Sequence, residues 1–113
     1  MPVHTFTSSE SDLLRRVKEV ILRAGPSARV YLYGSRARGD AAPDSDWDFL
    51  VLVNGSVDRR RVERLRDIIF DLELTLDGCP VLSTIIYGEV QWGTPLYRAM
   101  PFHESVEREG IEI

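Results

Sequence analysis

Apolar residues recur at helical spacing from Leu13 onward. Leu13, Leu14, Val17, Val20, Ile21 and Ala24 fall on one side, and Arg15, Arg16, Lys18, Glu19 and Arg23 on the other. This spacing of three and four predicts an amphipathic helix. Ser9 with Asp12 resembles a capping box at its start, and Gly25-Pro26 ends it. The pattern then changes. Residues 28–33 are a short β-prone run bounded by Pro26 and Gly34. Residues 46–53 read as a second strand with an almost continuously apolar rear, as expected of a strand covered on both faces. Asn54-Gly55-Ser56 is a turn that offers Ser56 as a helix cap. Helical periodicity returns over 57–76, where Val62, Leu65, Ile68, Ile69, Leu72 and Leu76 mark one face. Asp77-Gly78 closes that helix, and 81–87, rich in Val, Ile and Thr, reads as a third strand. In the tail, a helical turn is expected over 96–100, a break at Pro101 and another turn over 104–109. Residues 1–7 lack periodicity and read as a short arm. The order helix, strand, strand, helix, strand predicts an α/β (α+β) fold, a small mixed three-stranded sheet packed with helices. Residues 1–113 make one domain.

Composition narrows the function classes. The net charge of -4 argues against a generic nucleic-acid binder, which is normally basic. A small anion held by a local field is still permitted. Cys79 is the single cysteine, so no internal disulfide can form. No long apolar segment suggests a signal peptide or membrane span, and cytoplasmic is the expected location. His4 and His103 have no partners at metal spacing and are expected at the surface. Arg59, Arg60, Arg61, Arg64 and Arg66 read as a solvated helix surface. Trp92, Tyr97, Met100 and Phe102 gather apolar area in the tail, to cover one face of the sheet or to dock a partner.

The chemistry concentrates between the first two strands. Gly34 and Ser35 end one strand, ten residues follow, and Asp46-Trp47-Asp48 opens the next. Alternation along a strand turns both carboxylates to one face, roughly 7 Å apart at the backbone. Two carboxylates at that spacing suit Mg²⁺, which takes oxygen ligands and often shares its shell with substrate phosphates. Gly34 lets the backbone approach a phosphate closely. Ser35 offers N–H and hydroxyl donors, and Arg36 or Arg38 can add charge-assisted contacts. The two halves meet only if the strands are adjacent and antiparallel. Asp44, Asp46 and Asp48 also imitate an EF-hand start, but Phe49 and Gly55 stand where that loop requires Gly and Glu. No P-loop motif occurs. A phosphate cradle beside a metal-binding pair is equipment for phosphoryl or nucleotidyl transfer.

Gly34-Ser35-Arg36-Ala37-Arg38-Gly39 followed by Ser45-Asp46-Trp47-Asp48 resembles the signature of the minimal nucleotidyltransferases of the DNA polymerase β-like superfamily. The resemblance covers the core at 30–53, and the helix and strand order agrees around it. It implies the polymerase β-like fold, with Gly34 and Ser35 on the triphosphate of ATP and Asp46 and Asp48 on Mg²⁺ as the catalytic pair. The tail, from Pro95-Leu96-Tyr97-Arg98 through Val106 to Ile111, resembles the ends of members that pair with HEPN-domain proteins in toxin–antitoxin modules. In those modules the nucleotidyltransferase is the antitoxin, and it silences a ribonuclease toxin by transferring AMP to a tyrosine. The resemblance therefore implies an adenylyltransferase antitoxin. The alternative is a weak or inactive nucleotide-binding module that works by occlusion. It rests on one departure: members usually carry a third carboxylate on the strand after the second long helix, and here that strand is acid-free, with the place falling near Ser83.

Overall fold

The computed structural model describes residues 5–113, so His4 and the first part of the expected arm lie outside the described residues. The first helix, α1 (Ser8–Ala24), is capped by Thr7. Thr7 Oγ1 accepts from the Glu10 amide (3.2 Å), and the Glu10 carboxylate accepts from the Thr7 amide (2.9 Å). The capping box is therefore Thr7 with Glu10, not Ser9 with Asp12. Glu reaches back to the cap amide, and Asp12 pairs instead with Arg15.

Next come β1 (Arg29–Tyr33), the one-turn α2 (Ser35–Arg38) and β2 (Trp47–Val53). The second long helix, α3 (Arg59–Glu73), is capped by Asp58, which accepts from the Arg61 amide (2.8 Å), rather than by Ser56. It crosses to β3 (Leu82–Gly88), which pairs parallel with β2. A parallel neighbour requires such a crossover. Three short helices follow: α4 (Glu89–Trp92), α5 (Pro95–Arg98) and α6 (Pro101–Glu109). Pro101 begins α6 instead of merely breaking the tail, because the first helical position needs no donated N–H.

Among the described residues the sheet has four strands in the order β3-β2-β1-β4, one more than the sequence pattern indicates. The addition is β4 (Ile111–Glu112), antiparallel to β1. Two residues are too few for a periodic signal. Its position is secured by the Ile113 amide donating to Val30 (3.0 Å) and by Arg29 bridging to Glu112 (3.1 Å).

Alternation divides β2 between two cores. Phe49, Val51 and Val53, with Val30 and Leu32 of β1, pack against α1 and α3. Leu50 and Leu52 face Trp92 and Val106 of the tail, ringed by Tyr31, Tyr33, Tyr87 and Phe102. The tail aromatics thus cover the second sheet face. His103 belongs to this layer, stacked on Trp92 at 4.3 Å and only 3% exposed, which corrects its expected surface position. It falls on the inner side of α6 together with Val106. Among the described residues no helix is long and apolar enough to cross a membrane.

Candidate active site

The site forms where β1 ends and β2 begins. The strands pair antiparallel with Tyr33 opposite Asp48, so Gly34 emerges against the Asp48 carboxylate. Gly34 has φ 75° and ψ −158°, a region essentially reserved for glycine. A β-carbon there would stand 2.5 Å from Asp48 Oδ2. Two independent constraints, backbone angle and space, therefore require glycine. Beyond it the chain folds at once into α2. The Gly34 carbonyl accepts from the Ala37 and Arg38 amides (both 3.1 Å), and Gly39, left-handed at φ 84°, closes the turn onto Ser35 (2.9 Å). Ser35 is the first residue of this turn, and the leading amides of a helical turn have no acceptor within it.

Asp46 lies exposed, one residue ahead of β2, and Asp48 is half-buried as the second residue of the strand. The Asp48 carboxyl is held above the ordinary carboxylate range, first by burial and then by the charge of Asp46, with Arg38 pulling the other way. Asp46, Asp48 and Arg38 thus share one electrostatic neighbourhood. Arg38 is 43% exposed on the rim, bound to Asp40 (3.2 Å) and to Glu109 of α6 (3.1 Å). Glu109 carries no sequence signal for this role, because only the packing of the tail brings it to the loop.

Arg36 turns away from the site. Its Nη2 donates to the carbonyls of Pro43 (3.1 Å) and Ser45 (2.9 Å), its guanidinium lies over the Trp47 ring at 4.5 Å, and Glu10 is 3.9 Å distant. Trp47 packs with the α1 and α3 core, on the side opposite Asp48. Of the two arginines open in the sequence, Arg38 stands by the carboxylates and Arg36 braces the loop that delivers Asp46. Truncating Arg36 to Ala is expected to cost about 1–3 kcal/mol, since hydrogen bonds from a charged group are lost in a part-buried place. Arg38→Ala, losing only exposed ion pairs, should cost no more than about 1 kcal/mol. Urea unfolding of the two variants measures the difference.

Two further residues complete the setting. Tyr33 has its phenol pushed up to about 12, by burial, then by Asp48 and Tyr87, so it stays a neutral donor. Ser83 is the direct β3 partner of Asp48. Two of the acids that flank β3 are engaged elsewhere: Glu73 accepts from the Leu82 amide (3.2 Å), and Glu89 pairs with Arg29 (3.3 Å).

Residues 14–98 match the family model described as Nucleotidyltransferase domain. The chain belongs to that family. No curated protein matches the chain. A crystal structure of a candidate nucleotidyltransferase from Sulfolobus solfataricus is similar at 18% identity, covering 98% of this chain and 90% of that one with a TM-score of 0.49.

The acid pair of this nucleotidyltransferase domain has a measurable consequence. Asp48 binds its proton more tightly in the folded protein than in the unfolded chain. The stability it contributes is therefore present at acid pH and is lost as pH rises from the ordinary carboxylate range through its raised pKa. Metal-free Asp48→Asn protein should melt higher than wild type at neutral pH, and the gap should close in acid. Thermal melts across a pH series in EDTA test this. Cation binding should run the opposite way, strengthening as Asp48 ionises.

Proposed function

We propose that this nucleotidyltransferase domain binds ATP with Mg²⁺ and transfers AMP to a HEPN-type ribonuclease toxin, acting as its antitoxin. The observation that carries the nucleotide part is the contact of Gly34 with Asp48, which sets a backbone cradle directly against a carboxylate pair. The donor set fits the ion: two carboxylates close enough for one to raise the other's pKa are relieved by a divalent cation. Among the described residues no group of three or more His, Cys, Asp or Glu side chains could hold a metal, so triphosphate oxygens and water would complete the shell.

In this reading Asp46 and Asp48 hold Mg²⁺, Ser35 and the first amides of α2 hold the triphosphate, and Arg38 exchanges its carboxylate partners for phosphate oxygens. Bound Mg²⁺ supplies neutralisation of charge at the reacting phosphate. The acceptor hydroxyl forms a bond to the α-phosphorus, the bond from that phosphorus to the bridging oxygen breaks, and pyrophosphate leaves with the electron pair. The hydroxyl proton passes to solvent.

The test is to incubate the chain with ATP, Mg²⁺ and the protein encoded beside it, then weigh that protein intact. A gain of one AMP is expected, absent with Asp46→Asn plus Asp48→Asn. An unchanged mass with wild type would refute the transfer.

A second reading, neutralisation by occlusion, is favoured by Ser83 standing where the third acid is expected. The two readings separate in cells. Transfer requires the double Asn variant to lose protection against the partner, whereas occlusion requires it to keep protection. Ser83→Asp is expected to raise the transfer rate at least about tenfold, a part of the roughly 100- to 10,000-fold that a positioned base contributes. Initial rates at saturating Mg²⁺ measure it.

A further inference from the structure

The outer edge of β3 has no strand beside it among the described residues, since β3 ends the sheet. Its register fixes what it presents. The Trp47 amide donates to Val81 (2.9 Å), and the parallel pairing then directs the backbone groups of Ser83, Ile85 and Tyr87 toward β2. Those of Thr84 and Ile86 point outward. Among the described residues only the Leu82 end is covered, by the Glu73 carboxylate. Natural edges of this length are usually protected by Lys, Pro or a bulge. Leu82-Ser83-Thr84-Ile85-Ile86-Tyr87-Gly88 carries neither charge nor proline.

Apolar side chains gather along this edge. Phe70, 58% exposed, lines the groove between α3 and β3 with Leu82 and Thr84. Leu74 is exposed at the end of α3, Val81 just before β3, and Val90 just after it. These are four of the five large apolar side chains that stand exposed among the described residues.

We infer that β3 is a homodimer seam, pairing antiparallel with β3 of a second copy about a two-fold axis normal to the sheet. The charge pattern selects this occupant. Such an axis keeps both α3 helices on one face and runs them antiparallel beside each other. Arg66, Phe70 and Glu73 are spaced four and three apart and therefore share one helix side. With Phe70 near the axis, Arg66 of each copy faces Glu73 of the other, and the two Phe70 rings meet. Arg66 has no ion pair or hydrogen-bond partner among the described residues of the single chain, while Glu73 uses one oxygen on Leu82. In the same arrangement Thr84 and Ile86 exchange backbone hydrogen bonds across the seam, and Val81 of one copy comes level with the start of α4 in the other. The surface is thus complementary to itself in backbone, apolar area and charge. The inference does not depend on the nucleotide chemistry.

Analytical ultracentrifugation of the full chain over a micromolar concentration series tests it. Wild type should sediment at twice the 12.9 kDa chain mass. Phe70→Asp, a change at an exposed position that leaves the core untouched, should weaken association at least about tenfold while circular dichroism stays unchanged. Phe70→Cys in a Cys79→Ser background should form a disulfide-linked dimer under mild oxidation. A monomeric wild type throughout the series would overturn the seam and leave the edge to a strand of another protein. A dimer unaffected by Phe70→Asp and not cross-linked through position 70 would overturn it equally.

Discussion

Replacing Asp46 and Asp48 together by Asn is expected to lower nucleotidyl transfer at least about 1000-fold, because a bound metal supplies several kcal/mol of charge stabilisation and each 1.36 kcal/mol is tenfold. Asn keeps the shape of Asp and removes the anionic oxygens. The fold should not suffer. Asp46 is exposed and outside the strand, and Asp48 makes no ion pair among the described residues that its loss would break. Its charge is disfavoured by burial and by its neighbour, so the metal-free double variant should melt no lower than wild type. Steady-state rates read beside melting curves separate the two effects. A variant that retained transfer within tenfold would show that the metal sits elsewhere. A variant that lost transfer only because it melted would show that the acids hold the fold.

Gly34→Ala is the second large expectation, and it acts on both stability and rate. The residue sits at φ 75° and ψ −158°, where a non-glycine residue costs about 1–3 kcal/mol. The added carbon would also lie 2.5 Å from Asp48 Oδ2, so either the loop or the carboxylate must move. A displacement of about 1 Å in a catalytic group can cost roughly 100-fold in rate. Gly78→Ala is the matched control. Gly78 also has positive φ, 77°, but a carbon added there meets nothing within 4 Å. It should lose about 1–2 kcal/mol of stability with its transfer rate unchanged. Equal losses of rate in the two variants would contradict a special role for the Gly34–Asp48 contact.

The long periodic elements were legible because their signals are local. Leu14, Val17 and Ile21 are buried on α1, and Leu65, Ile69 and Leu72 on α3, as their spacing implies. The unbroken run in β2 does correspond to burial on both faces. The candidate-site loop was legible in its residue types and only partly in its directions. Adjacency of Gly34 and Asp48 required β1 and β2 to be antiparallel neighbours, and they are. Which arginine faced the carboxylates depended on the turn of α2 and on Trp47, whose ring and the nearby carbonyls draw Arg36 to the far side.

What the pattern could not convey was set by partners distant in sequence. β4 exists because β1 offers it an edge, not because two residues prefer a strand. His103 is buried because Trp92, eleven places earlier, supplies a ring to stack on. Helix caps were misplaced by one turn or less because several Ser, Thr and Asp residues compete near each start. Only geometry decides among them, as with Thr7 and Asp58.

The most direct measurement is a crystal structure of the chain with a non-hydrolysable ATP analogue and Mg²⁺. The site described above requires the triphosphate to lie along Gly34, Ser35 and the first amides of α2, with Mg²⁺ between it and the carboxylates of Asp46 and Asp48. Arg38 should leave Asp40 or Glu109 for a phosphate oxygen, and Arg36 should stay on Trp47. Nucleotide bound at any other surface, or Mg²⁺ placed away from both acids, would contradict the assignment of this loop as the nucleotidyl-transfer site.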